Sequence, residues 1–500
     1  MKKFQKLFFS VTLLLLLNAC EDAYKITQDG ELNEDVAIAS VSDMQAYLNA
    51  VYSYVTISNE IAFTAIFTDE TGTGRGSGGQ NFDTHRFQLT SANGYAEGMW
   101  YGHYAAINRA NRLIKSAEGV EPAAGEEADY YSILAQARAI RAFCHFQLLT
   151  YFSTNLEDDN AEGVILMDRV PSVGDDLPRN TNGEVFALIE DDLNFAYDNV
   201  SDQTYKFISK RFIDALRARM YLYRGNYTLA QQYAEDVINA TPSANQLVSA
   251  TPVPNGTVGS SSWNSSFYGT ASTNPYRKMF NDSNQGEIIF ALDRPNSGNW
   301  ENIAGNFVTN TTAVNGSPFF EVGRNLFNLL NSTPGDVRRY ACVDPTSLIN
   351  PNYDQQGVDY IATDVLIIDK YPGKTGAVLR NDIKVVRLSE IYLILAECYA
   401  HSGDINGSSN SVASVLKLIR DKRNFLNVQP LPVYADETAA LKDILLERRL
   451  ELCFEGHRYI DLKRLGNDVN ESIDRNITDD ELQGLPLTIP ITDYRFTMPI

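Results

Sequence analysis

The residues that most restrict how this chain can fold form two apolar stripes with a two-residue break between them. Ala215, Ala218 and Tyr221 fall three apart within residues 207–224. Gly225-Asn226 interrupts, and Tyr227, Ala230 and Tyr233 resume the spacing within 227–239. Steps of three or four residues place side chains on one helical face, and Gly-Asn both stops one helix and starts the next. Small residues let two antiparallel helices approach closely, and the aromatic rings fill the adjoining turn. The segment therefore predicts a helical hairpin.

The same theme returns near the other end. Leu388, Tyr392, Leu395, Ala396 and Tyr399 predict a helix over 384–401, Gly403-Asp404 breaks it, and a further helix is expected over 412–423. This is the small-and-aromatic spacing of a tetratricopeptide hairpin, and two such hairpins split across a chain predict a partial solenoid. Helices are also expected over 42–55, where Met44, Tyr47, Leu48, Val51 and Tyr52 share a face, and over 98–117, 129–152, 184–197 and 439–465. Residues 241–380 differ. Ser, Thr, Asn, Gly and Pro dominate, which predicts long ordered loops with short strands over 288–292 and 365–368, and a stretch of that kind usually carries function. The expected fold is all-α: helical hairpins in regions 41–240 and 381–500, joined by a loop-rich region 241–380. At 500 residues the chain exceeds the roughly 250–300 that one core usually serves, in keeping with an extended scaffold or two domains.

The chain opens with Lys2, Lys3 and Lys6, an apolar run over 7–17, and Leu17-Asn18-Ala19-Cys20. This is a secretory signal with a small residue before the cut. The apolar run is shorter than the about 20 residues a spanning helix needs. It resembles a bacterial lipoprotein signal: residues 1–19 are removed, Cys20 is acylated, and residues 20–40 form an acidic tether. The formal charge is −21, and loss of the leader lysines makes the mature chain more acidic still. Such a surface repels phosphates and anionic headgroups but accepts neutral ligands such as sugars. Besides Cys20 there are Cys144, Cys342, Cys398 and Cys453, far apart and without a C-x-x-C pair, so neither zinc nor a redox motif is indicated. Cys144, Cys398 and Cys453 lie in apolar helical patterns and are expected to be small buried hydrophobes, leaving stability to core packing.

Motifs for chemistry are weak. Gly74-Arg75-Gly76-Ser77-Gly78-Gly79 matches G-x-G-x-x-G, but a dinucleotide site needs a strand before it and a helix start after it. A binding loop or a plain surface loop fits better. Asp158-Asp159-Asn160 looks calcium-like, yet position 12 of that frame is Arg169 rather than a carboxylate. The five histidines show no H-E-x-x-H, and no G-x-S-x-G occurs. In the charged run 447–464, Arg448, Glu451 and Glu455 lie three or four apart, as do His457 and Asp461, which predicts a paired, partly buried network joining the hairpins. No metal or cofactor is expected. For sugars the relevant chemistry is aromatic. A flat ring matches the apolar C–H face of a pyranose, and a few placed polar groups match its hydroxyls. The tryptophans are Trp100, Trp263 and Trp300.

Several segments carry a resemblance. Arg387-Leu388-Ser389-Glu390-Ile391-Tyr392-Leu393-Ile394-Leu395-Ala396-Glu397, the run 447–464, Ala135-Gln136-Ala137-Arg138-Ala139-Ile140-Arg141-Ala142-Phe143, Tyr104-Ala105-Ala106-Ile107-Asn108-Arg109-Ala110-Asn111 and the hairpin over 211–227 resemble, in matching order, the SusD/RagB family of outer-membrane lipoproteins. The resemblance implies a helical scaffold with a loop-rich ligand-binding face. It implies a surface lipoprotein without catalytic activity that captures an oligosaccharide, or sometimes a peptide, and closes over a SusC-like TonB-dependent transporter. By that analogy Trp100, Asp69 and Arg75 are nominated as ligand-facing, followed by Trp263, Tyr268 and Trp300; each could serve packing instead. The chain departs from the family after Tyr151, where Phe152-Ser153-Thr154-Asn155-Leu156 replaces the usual Tyr-Gly-Asp-Val-Pro-Leu, and it stops at Met498-Pro499-Ile500, short of the usual ending. The expected function is nutrient capture for a transporter. The alternatives are a structural lid with little affinity of its own, a peptide binder, or, with least support, a surface glycosidase.

Overall fold

The structure is a computed structural model that describes residues 38–172, 174–201, 203–269, 272–307, 318–355, 357–480 and 487–498. The signal, Cys20 and the tether up to residue 37 lie outside the described residues.

Ser40 accepts the amide of Asp43 at 3.2 Å and opens α1 (Val41–Tyr54), whose Met44, Leu48 and Val51 are buried at helical spacing. The largely buried α2 (Ser58–Phe67), the short strand β1 (Thr71–Thr73) and the single turn α3 (Phe82–His85) follow. Asn93 caps α4 (Gly94–Ala117). The long α5 (Glu127–Phe152) is buried on every side from Ala139 to Phe152, as a helix at the centre of a core must be. A capping box of Thr181 and Glu184 starts α6 (Asn182–Asn199).

The predicted hairpin is α7 (Lys210–Tyr223) and α8 (Tyr227–Ala240). Gly225, at φ +69°, makes the turn, and Asn226 accepts the Leu229 amide at 3.2 Å. Ala215, Ala218 and Ala230 have no exposure, and the rings of Tyr221 and Tyr233 stack across the hairpin at 5.7 Å.

Residues 241–380 hold more helix than their composition suggests: α9 (Ser261–Tyr268), α10 (Pro275–Phe280), α11 (Arg324–Leu330), α12 (Arg338–Cys342) and α13 (Tyr360–Thr363). Each is one or two turns long, too short for a 3.6-residue period to emerge from polar neighbours. Strand β2 (Ile288–Leu292) matches the expectation, whereas 365–368 makes only isolated bridges, Leu348 to Val365 and Val343 to Ile368. The further strands are β3 (Phe320–Val322) and β4 (Ile383–Arg387).

Strand β4 occupies the start of the expected 384–401 helix and runs directly into α14 (Leu388–Ser402), which Gly403 ends at φ +84°. After α15 (Val412–Arg423), the single helix expected over 439–465 is two: α16 (Glu437–Glu451) and α17 (Arg458–Leu465). Phe454 at φ +61° and Gly456 at φ +88° turn the chain between them. Tertiary partners replace the lost helical bonds there. The Phe454 amide donates to Glu70 at 3.1 Å, and the Phe454 carbonyl accepts from the Tyr371 hydroxyl at 2.8 Å.

The architecture is thus mostly helical. Helix α5 packs between α4 and α6, α7 pairs with α8, α8 packs on α14, and α14 packs on α15 and α16. Two antiparallel two-stranded ribbons tie the middle of the chain to its ends: β1 with β3, Thr71 opposite Val322, and β2 with β4, Ile288 opposite Arg387. Cys144, Cys342, Cys398 and Cys453 are free and buried.

Candidate functional site

The start of α4 is fixed from below, because Asn93 donates to Asp83 and to Thr84, each at 2.9 Å. Two turns further on stands Trp100, half-buried. Its ring meets Tyr104 and Phe152 edge-on, both at 5.0 Å between centroids. Tyr104 is itself anchored, its hydroxyl donating to the Ile165 carbonyl at 2.9 Å. Trp100, Tyr101 and Phe152, with Ser91, Ala92, Ala96 and Glu97, enclose an open cleft of about 380 Å³. Tyr101 is 64% exposed. Glu97 precedes Trp100 by three residues and Tyr101 by four, so helical geometry brings its carboxylate to the same side. The cleft therefore offers aromatic faces, an exposed phenol and a carboxylate acceptor on a rigid helix. Of the residues nominated from the sequence, Trp100 lines this cleft, joined there by Tyr101 and Glu97, which were not nominated although their spacing from Trp100 places them on its side of the helix. Phe152, the first residue of the departure after Tyr151, supplies a wall of the cleft.

The six nominated residues do not converge, and only Trp100 lines this cleft. Asp69 is corrected: it is fully buried, and Arg458 holds both its oxygens at 2.9 and 2.8 Å. Burial opposes its charge, but Arg449, Arg458 and the Asp474 amide outweigh that and hold the carboxyl well below the usual range. Trp263 is also corrected, being 1% exposed and packed on Phe267 at 4.8 Å. Tyr268 is half-buried, with the Arg277 guanidinium 4.1 Å over its ring. Both flank Phe267, which forms a wall of a second hollow of about 290 Å³ with Pro252, Pro254 and Asn274. Trp300 is half-buried in a loop gathered around Arg380, which donates to the carbonyls of Pro295 at 2.7 Å and Asn296 at 3.0 Å. The Trp300 indole donates to the Ser297 carbonyl at 3.1 Å.

Arg75 is exposed, on the loop after β1, and its amide donates to Glu321 at 3.1 Å. The glycines around it serve close chain approach. Gly74 and Gly76 donate to the carbonyls of Phe319 and Pro318, and a Cβ on Gly74 would stand 2.3 Å from the Pro318 oxygen. That geometry pins the loop to β3 and leaves those two amides engaged.

The charged run 447–464 is enclosed. Its partners come mostly from other elements: Glu451 pairs with Arg387 and Arg423 at 2.9 Å each, Glu455 with Arg387 at 2.7 Å and Lys370 at 2.9 Å, and Arg448 with Asp461 at 2.8 Å. Among the described residues no group of three or more His, Cys, Asp or Glu is arranged to hold a metal ion.

Two family models match, one described as the SusD family over residues 367–484 and one as starch-binding associating with outer membrane over residues 26–214. A relative, SusD-like protein P2 of Formosa agariphila, is 24% identical over 94% of this chain and 92% of its own. A solved SusD superfamily structure from Bacteroides thetaiotaomicron has a TM-score of 0.73 at 21% identity, covering 92% of this chain and 96% of that one. A further solved structure, with a xylogluco-oligosaccharide, has a TM-score of 0.62 at 19% identity, covering 85% of this chain and 84% of that one. Family models thus match the chain at both ends, and its helical architecture is that of solved SusD superfamily structures, so the protein is SusD-like over residues 26–214 and 367–484 and in fold.

Proposed function

We propose that this protein captures an oligosaccharide at the outer membrane and delivers it to a TonB-dependent transporter, binding without bond making. The carrying observation is the cleft beside Trp100, where aromatic faces and the Glu97 carboxylate share one rigid helix. That combination matches the two surfaces of a pyranose. Support also comes from the starch-binding, outer-membrane description of the family model over residues 26–214, and from the oligosaccharide held by a relative of the same fold. On this reading Cys20 carries the lipid, residues 20–40 form the leash, and the scaffold swings as a lid whose closed state binds ligand more tightly than the open one. Arg75 and Trp300, on loops outside the Trp100 cleft, are candidate polar and aromatic contacts for a longer glycan.

Isothermal titration of the soluble Cys20→Ser variant against a panel of neutral glycans and peptides tests the reading. Saturable binding of a glycan is expected. Binding of peptides alone overturns the sugar assignment, and no binding leaves a structural lid. New reducing ends on incubation with glycan would overturn the assignment as a binding protein.

A further inference from the structure

Cys342 ends α12, and Cys453 is the second residue past α16, within the turn that breaks the C-terminal helix. The two are far apart in sequence, and neither has any exposure. Their sulfurs lie 3.8 Å apart, with the Cys453 thiol donating to Cys342. That hydrogen bond, helped by the Lys370 ammonium, draws the Cys342 thiol below its ordinary range, while the same contact and burial push Cys453 well up. Lys370 is fixed beside them by the Glu451 carbonyl at 3.1 Å and the Glu455 carboxylate at 2.9 Å. To bond, these sulfurs would have to close from 3.8 Å to about 2.05 Å. Disulfides form and persist in oxidising compartments such as the bacterial periplasm.

We propose that Cys342 and Cys453 are joined by a disulfide in the exported protein, tying the loop-rich middle of the chain to the break between α16 and α17. The oxidant is another disulfide, small-molecule or protein. One thiolate attacks it, giving a mixed disulfide and one released thiol. The second cysteine, as thiolate, then displaces the other thiol, so one sulfur–sulfur bond breaks, one forms, and two thiols leave. The exchange belongs to folding after export, before burial closes over both sulfurs. Cys144 and Cys398, in α5 and α14, remain thiols.

The test uses full-length protein from the cell envelope, acid-quenched, treated with N-ethylmaleimide in denaturant and digested without reductant. The expected product is the Cys342 peptide linked to the Cys453 peptide, separating on reduction, with Cys144 and Cys398 alkylated. Alkylation of Cys342 and Cys453 overturns the proposal. As a second reading, dithiothreitol should lower the thermal midpoint of the native protein and leave a Cys342→Ser/Cys453→Ser variant unmoved; equal responses also overturn it. The inference rests on export, which blotting the same cell fractions reports independently of the linkage.

Discussion

Arg387 grips Glu455 through two parallel hydrogen bonds, Nε to Oε2 at 2.7 Å and Nη2 to Oε1 at 2.8 Å. Arg387 ends β4, and Glu455 sits in the break after α16, so the pair fastens a ribbon to a helix end. Arg387 also donates to Glu287 and Glu451, both at 2.9 Å, in a region without water access. Removing one partner of a buried network leaves uncompensated charge. Arg387→Ala should therefore cost about 3–5 kcal/mol, read as a lower urea midpoint.

The same fork predicts acid sensitivity. Burial opposes ionisation of Glu455, but Arg387 and Lys370 overcome it and hold the carboxyl at about 2. Because the folded value lies below the ordinary one, the pair's contribution is complete above about pH 4.5 and is lost as pH falls towards 2. Thermal midpoints measured across that window should fall, and Glu455→Gln should fall less steeply.

The alkaline side has its own group. His103 is buried against Glu60. Burial alone would lower its value, but the Glu60 carboxylate reverses this and raises it to about 10. A raised folded value means stability that is full below about pH 6.5 and declines as pH rises through 10. Glu60→Gln should flatten that decline in a series of denaturation curves.

Two of the three tryptophans separate binding from packing. Trp263→Ala empties a core position and should cost about 3–5 kcal/mol of stability. Trp100→Ala should leave the unfolding midpoint closer to that of the native protein while weakening glycan affinity about tenfold, or about 1.4 kcal/mol, by titration calorimetry. Equal affinity in Trp100→Ala would remove this cleft as the sugar site.

Much of the scaffold was legible because its signals are local. The alanine and tyrosine spacing around Gly225-Asn226 marked the α7–α8 hairpin, and the apolar run 288–292 marked β2 to the residue. The break before α17 was hidden because Arg448, Glu451 and Glu455 keep helical spacing across the place where the chain leaves the helix. What ends it is a tertiary bond from Phe454 to Glu70, far away in sequence. Strand β4 was hidden because Val385 and Val386 continue the apolar pattern of α14 without a turn residue between. Asp69 looked available for a ligand for a similar reason: Arg458, which encloses it, comes from the opposite end of the chain. Helix spacing alone places Glu97 and Tyr101 beside Trp100 in the candidate cleft.

The ribbon of β2 and β4 sets an order of assembly. Ile288–Leu292 is buried at all five positions, yet its partner Ile383–Arg387 emerges from the ribosome or the export channel much later. Helices α4 to α8 can pack while that partner is still absent. Until it arrives, β2 presents an unpaired, wholly apolar edge, the kind of surface that recruits other chains. A polypeptide interrupted anywhere between these two strands is therefore a sticky intermediate. Completion of the C-terminal third quenches it, so the ribbon acts as a checkpoint on chain integrity as well as a brace.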